Sequence, residues 1–110
     1  MENKKLKFRH HLVEEVLSGQ KNVTWRLFDD KDLKVGDRLD LIEYDNNEKF
    51  AEAEIINVYE KPLGSIEEKD FEGHEKYQNK DEMLETYTKY YGDSVNWGTI
   101  VKIIKFELKK

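Results

Sequence analysis

The sequence predicts a single α+β domain built on a mostly antiparallel, barrel-like sheet. Three observations predict it. Short apolar alternations recur along the chain, helical spacing intervenes at separated points, and the strand-like stretches flank those helices rather than alternating with them one for one. That order favours a compact α+β barrel over a doubly wound sheet. At 110 residues the chain has the size of one domain, residues 1–110, with room for a modest core. Charged residues make up 39% and the mean hydropathy is -0.90, a polarity that without pattern would mean disorder. The clean periods and the 12% aromatic content decide for a folded domain.

Each element follows from its local pattern. Leu6 and Phe8 alternate with Lys5, Lys7 and Arg9, a short strand with a basic outer face. Leu12, Val13, Val16 and Leu17 keep helical spacing, and Gly19 stands where a C-terminal cap belongs. Val23, Trp25 and Leu27 then alternate with Thr24 and Arg26, so one strand face is apolar and the other carries a hydroxyl and a guanidinium. Asp29-Asp30-Lys31-Asp32 reads as a solvated loop. The Gly36-Asp37 turn leads into a strand with Leu39 and Leu41 inward. Asp45-Asn46-Asn47 is a turn, and Phe50 to Tyr59 returns as a long strand ended by Pro62. Its apolar parity shifts between Ala53-Ile55 and Ile56-Val58, which predicts a bulge. Ser65 with Glu68 forms a capping-box start for a short helix broken at Gly73. Asn79 with Glu82 starts another, with Met83, Leu84, Tyr87, Tyr90 and Tyr91 as its apolar stripe and Gly92 at its end. Ile100, Ile104, Phe106 and Leu108 define the closing strand.

Composition narrows the function classes. The absence of cysteine excludes disulfides, thiolate catalysis and cysteine zinc sites. No apolar run approaches the roughly 20 residues of a membrane span. The start, Met1-Glu2-Asn3-Lys4-Lys5, lacks the apolar segment of a signal peptide, so a cytoplasmic location with no membrane partner is expected. Lys and Glu enrichment follows a thermophile tendency. The net charge of -5 disfavours a general RNA coat, which needs phosphate neutralisation, and leaves a local basic patch open. His10 and His11 are adjacent, point in different directions on a helix and have no third ligand at zinc spacing, so no metal is expected.

The chemistry concentrates around Gly19-Gln20-Lys21-Asn22-Val23-Thr24-Trp25-Arg26. Lys21 reads either as a solvated lysine after a helix cap or as a partly buried amine whose lowered pKa suits a general base. Thr24 is either an ordinary strand residue or, with Lys21 in reach, a nucleophile. Arg26 either pairs with a carboxylate or clamps a phosphate or base edge. His74-Glu75-Lys76 reads as a polar loop or as part of a site, Glu75 supplying a proton donor and Glu72 competing for that role. The tyrosine stripe reads as core, with Tyr90 or Tyr91 stacking on a base as the alternative. Trp25 is a core anchor, and Trp97, in a polar loop, is a candidate pocket rim.

The segment Gly19-x-Lys21-x-x-Thr24-x-Arg26 after a short helix resembles the signature of the ASCH domain, a relative of the PUA-like RNA-binding barrels. Asp32-Leu33-Lys34-Val35-Gly36-Asp37-Arg38-Leu39 resembles that family's turn into a barrel strand. Phe71-Glu72-Gly73-His74-Glu75-Lys76 and Tyr87-Thr88-Lys89-Tyr90-Tyr91-Gly92 are similar to an archaeal-looking branch of it. The resemblance runs from about Leu6 to the C-terminus. It implies a PUA-like barrel of about five or six mostly antiparallel strands with flanking helices, and recognition of a modified nucleoside or single-stranded RNA.

Some small members remove the acetyl group from N4-acetylcytidine with a lysine, a threonine and a glutamate. The resemblance places these roles on Lys21, Thr24 and Glu75, with Arg26 and His74 contacting the ligand; Asn22 stands where a threonine is expected. On this reading Thr24 attacks the amide, Lys21 takes its proton and Glu75 protonates the leaving amine, without a cofactor. Two alternatives remain. One is a non-catalytic RNA-binding module with a basic edge of Lys5, Lys7 and Arg9 beside Lys105, Lys109 and Lys110, if the first and last strands pair. The other is a metal-independent ribonuclease using Lys21 and Arg26. A monomer is expected.

Overall fold

The alternating stretches form five strands, β1 (Lys4–Phe8), β2 (Val23–Leu27), β3 (Arg38–Glu43), β4 (Lys49–Pro62) and β5 (Ile100–Lys109). Helix α1 (His10–Leu17) joins β1 to β2, and α2 (Lys80–Tyr91) precedes β5. The structure, a computed structural model, describes residues 3–28, 31–71, 74 and 77–109. The strands make one sheet in the order β1-β3-β4-β5-β2, parallel only between β1 and β3. The sheet curls into a half-barrel with two helices, the α+β PUA-like architecture expected.

Topology corrects one expectation. β1 pairs with β3, Lys5 lying opposite Asp40, whereas Lys105 on β5 lies opposite Val23 and Asn57. The first and last strands are not neighbours, so Lys105 does not extend a basic edge with Lys5, Lys7 and Arg9. A parallel neighbour for β1 requires a crossover, and α1 and β2 supply the chain length for it.

Both sheet faces are covered. Leu6, Phe8, Leu39, Leu41, Ala53, Ile55, Ile104 and Phe106 pack with Leu12 and Val16 of α1 on one face. Val23, Trp25, Leu27, Val101 and Ile103 pack with Met83 and Tyr87 of α2 on the other. β5 therefore contributes to two cores, which is why its run Ile100-Val101-Lys102-Ile103-Ile104 reads as nearly continuous rather than alternating. The bulge in β4 falls where parity predicts it: the ladder shifts between Ile55 and Asn57, and Ile56 is exposed. That extra residue turns Val58 back toward the α1 core. No helix among the described residues is long and apolar enough to cross a membrane.

The helix ends follow the local chemistry. Asn79 accepts a hydrogen bond from the Glu82 N–H at 2.8 Å, and Gly92, with φ +97, closes α2 onto the Thr88 carbonyl. Gly19, with φ +85, follows α1, and the chain then turns so that the Lys21 N–H reaches the Glu15 carbonyl at 2.9 Å. The short helix expected to start at Ser65 with its Glu68 capping box is instead two short 3-10 turns, Leu63–Ser65 and Glu68–Phe71, and its expected break at Gly73 lies outside the described residues. Asp70 overrides the capping box. Its carboxylate, fully buried, accepts from the Tyr59 hydroxyl at 2.6 Å, Lys61 Nζ at 2.8 Å and the Glu67 N–H at 2.8 Å. Burial pushes the Asp70 carboxyl up, but Lys61, Tyr59 and the Glu67 N–H together hold it below the usual 3.8. Burial and the Asp70 bond push the Tyr59 hydroxyl up to about 12.

Asp70 thus ties the 3-10 segment to β4 through an ion pair with 0% and 18% exposed side chains. Asp70→Asn is expected to cost roughly 3–5 kcal/mol in a denaturant melt, since it strands the Lys61 ammonium. A carboxyl with a lowered native pKa stabilises the fold fully above its unfolded value of 3.8, and that contribution disappears as pH falls through the lower native value. The wild type should therefore lose stability on acidification more steeply than Asp70→Asn. Parallel pH profiles would contradict this assignment.

Candidate functional site

Curling brings the two edge strands of the sheet, β1 and β2, face to face without a ladder between them. Arg26 spans the gap. Its Nη2 donates to the Lys7 carbonyl at 3.0 Å and its Nε to Thr24 Oγ1 at 3.2 Å, and the guanidinium carbon lies 5.0 Å from the Phe8 ring centre. Beside this seam opens a cavity of about 840 Å³.

Most residues singled out in the sequence line that cavity: Lys21, Thr24, Arg26, His74, Lys5, Lys7 and Arg9. Lys21 and Thr24 are buried at 3% and 4% exposure. Lys21 Nζ donates to the Val23 carbonyl at 2.8 Å, so the solvated reading of this lysine does not hold. The tight exit from α1 at Gly19 turns the side chain inward beside β2. Thr24 and Arg26 share one face of β2, as alternation predicts, while Trp25 reaches the cavity from the other. Lys105 lies outside the cavity, and Glu75 and Glu72 lie outside the described residues. Trp97 is no rim either: its carbonyl receives the Gly64 N–H at 2.8 Å, away from the cavity lining.

Sequence reading missed an aromatic wall. Trp25 stacks on His74 with ring centres 4.0 Å apart and planes 13° apart, and on Tyr87 at 5.9 Å and 20°. Tyr87 continues to Tyr91 in a stacked pair at 6.2 Å and to Tyr90 edge-on at 6.0 Å. His74 is 7% exposed, and its Nε2 lies 3.5 Å from the Tyr87 hydroxyl. The stripe of α2 thus serves as core and as cavity lining, with Tyr87 buried and Tyr90 45% exposed. Phe28 is 55% exposed at the mouth, in the left-handed region with φ +53, and sits edge-on to Tyr91 at 6.0 Å. A bulky side chain rarely adopts that conformation, and such strain clusters at functional positions. The Trp25 indole N–H is buried with no acceptor among the described residues. An orphan donor of that kind costs about 1–3 kcal/mol.

The lining carries the cations Lys4, Lys5, Lys7, Arg9, Lys21, Arg26 and Lys31, and among the described residues no carboxylate. Among the described residues the lining is thus basic, in a chain of net charge -5. Lys4 is neutralised by Asp37 at 2.8 Å. Lys5, Lys7 and Arg9 have no ion pair among the described residues.

His10 is not part of the cavity lining. Its Nδ1 lies 3.1 Å from Glu43 Oε1, and its backbone N–H donates to Asp45 at 3.2 Å, serving the start of α1. The ligand atoms of His10, Glu43 and Asp45 all lie within 4.8 Å of one another. Sequence spacing did not place these carboxylates there; the β3–β4 turn does.

Comparisons with known proteins agree with this architecture. The sequence pattern described as Domain of unknown function (DUF3850) matches residues 3–61. No curated protein matches the sequence significantly. The fold is similar to protein EF3133 from Enterococcus faecalis, of family DUF984, at TM-score 0.80 and 15% identity over 98% of this chain and 81% of that one. It is similar to the ASCH domain from Lactobacillus crispatus at TM-score 0.69 and 14% identity over 89% and 70% of the two chains. It is also similar to ASCH from Zymomonas mobilis at TM-score 0.66 and 9% identity over 94% and 65%. The ASCH resemblance read from the sequence is thus met by the fold.

The hydrogen bond and charge of Glu43 raise the His10 imidazole above its ordinary 6.5. Glu43→Gln is expected to lower the His10 midpoint toward 6.5 in an NMR titration of the ring protons. A midpoint unmoved by the substitution would show that Glu43 is not its partner.

Proposed function

The chain belongs to the DUF3850 family, and from that premise and the shape of its cleft we propose that it recognises a single nucleobase-bearing unit, a modified nucleoside or one nucleotide of single-stranded RNA. One observation carries this reading: the aromatic wall of Trp25, His74, Tyr87 and Tyr90 and the polar groups of Lys21, Thr24 and Arg26 line the same cavity. Aromatic faces stack bases, and a few placed polar groups read a base edge. At about 840 Å³ the cavity lies within the range of small-ligand pockets. The buried Trp25 N–H would gain a partner from an acceptor on the ligand.

A second reading makes the site an amidohydrolase acting on N4-acetylcytidine. It is favoured by Arg26 Nε donating to Thr24 Oγ1, which occupies a lone pair of the hydroxyl and leaves its proton for a base. In this scheme Thr24 Oγ1 attacks the acetamide carbonyl, and its proton passes to the Lys21 amine in its neutral form. The exocyclic amine leaves with a proton, and water then cleaves the acetyl-threonine ester to acetate. Arg26 stabilises the developing oxyanion. Glu75 is proposed as the acid for the leaving amine.

Trp97→Phe protein isolates the fluorescence of Trp25. Titration with cytidine and N4-acetylcytidine is expected to change that signal saturably. Arg26→Ala should weaken binding roughly 10–100-fold, the loss of a charged hydrogen bond worth about 1.5–3 kcal/mol. A signal unchanged by either nucleoside would defeat the reading. For the second reading, acetate release from N4-acetylcytidine should vanish in Thr24→Ala and Lys21→Ala and persist in part in Thr24→Ser. Release that survives Thr24→Ala would remove the threonine from the chemistry.

A further inference from the structure

We propose that the mouth of the cleft is a phosphate clamp centred on Arg9, so that the ligand is a phosphorylated nucleotide unit rather than a free nucleoside; this rests on the nucleobase reading of the cavity. Arg9 leaves β1 and precedes α1, half-buried, at the cavity lining. Its guanidinium lies between two tyrosines, 4.2 Å from the Tyr44 ring centre and 5.3 Å from that of Tyr90. Both rings are themselves exposed, Tyr44 at 51% and Tyr90 at 45%. Ring contacts on a guanidinium hold its plane and leave its N–H edge available.

No described residue accepts a hydrogen bond from that edge or pairs with its charge within 4 Å. The carboxylates flanking Tyr44 in the chain, Glu43 and Asp45, are turned to His10 instead. Lys7 adds a second cation against the same ring, its Nζ 5.9 Å from the Tyr44 centre. Two cations on one tyrosine repel each other, and an anion between them relieves that repulsion. The planar fork of N–H groups matches phosphate oxygens in two-point contact. A protein of net charge -5 in which no described residue neutralises a pre-oriented guanidinium and a lysine at the mouth of its aromatic cleft is built to select a phosphate there.

The phosphate has two sources, a terminal monoester or a backbone diester, and separate probes distinguish them. Affinities of cytidine, cytidine 5′-monophosphate and the trinucleotide CCC are measured for wild type, Arg9→Ala, Arg9→Lys and Lys69→Ala, each checked for folding by circular dichroism. In the wild type, at least one phosphorylated probe is expected to bind tenfold or more tighter than cytidine. The monophosphate leading indicates a terminal phosphate, and the trinucleotide leading indicates a backbone phosphate; either supports the clamp. Arg9→Ala should bring the ratio of phosphorylated to unphosphorylated affinity to within about twofold, and Arg9→Lys should leave it intermediate. Lys69, a cation outside the cleft, controls for net charge, and an equal drop in Lys69→Ala overturns the proposal. So does a ratio that Arg9→Ala leaves intact. Cytidine binding without phosphate preference defeats the clamp while the nucleobase reading stands; no binding of any probe defeats both.

Discussion

The feature on which the rest depends is an unclosed seam. A sheet curls because its strands twist, and a five-stranded sheet that curls this far brings its outer strands within reach of each other. Here they do not pair. The guanidinium of Arg26 crosses the gap to the Lys7 carbonyl while its Nε holds the Thr24 hydroxyl. Had a ladder closed β1 onto β2, the backbone would occupy the space that now forms the cavity. The seam therefore determines where the cavity opens and which side chains line it.

Charge is sorted around that opening. β1 alternates Leu6 and Phe8 with Lys5 and Lys7, and its apolar members pack against α1. The cations are left along the edge, where Arg26 and Lys21 from the β2 side join them. Among the described residues, carboxylates away from the lining are often engaged: Asp70 with Lys61, Asp37 with Lys4, Glu43 with His10. An overall acidic protein thus lines this concavity, among its described residues, with cations.

The aromatic wall ties the seam to the second core. Trp25 belongs to the cluster with Met83 and Val101, yet it lines the cavity and carries the stack through His74 and Tyr87. Trp25, His74 and Tyr87 are packed among buried neighbours, so little side-chain freedom remains in that stack.

Much of this was legible one element at a time. Parity along β2 put Thr24 and Arg26 on a common face, the parity break in β4 marked its bulge, and Asn79 and Gly92 marked both ends of α2. These signals are local, since alternation, caps and turns depend on residues within a few positions of one another. Three things were not legible for the converse reason. Strand order separated Lys105 from β1. A buried carboxylate, Asp70, displaced the helix that Ser65 and Glu68 suggested. The meeting of Arg9 with Tyr44 and Tyr90 joins three elements distant in the chain. The sequence by itself determined which side chains each element offers and to which face. Only the tertiary structure decided which edges meet, because that depends on sheet curvature and strand order, which no local spacing encodes.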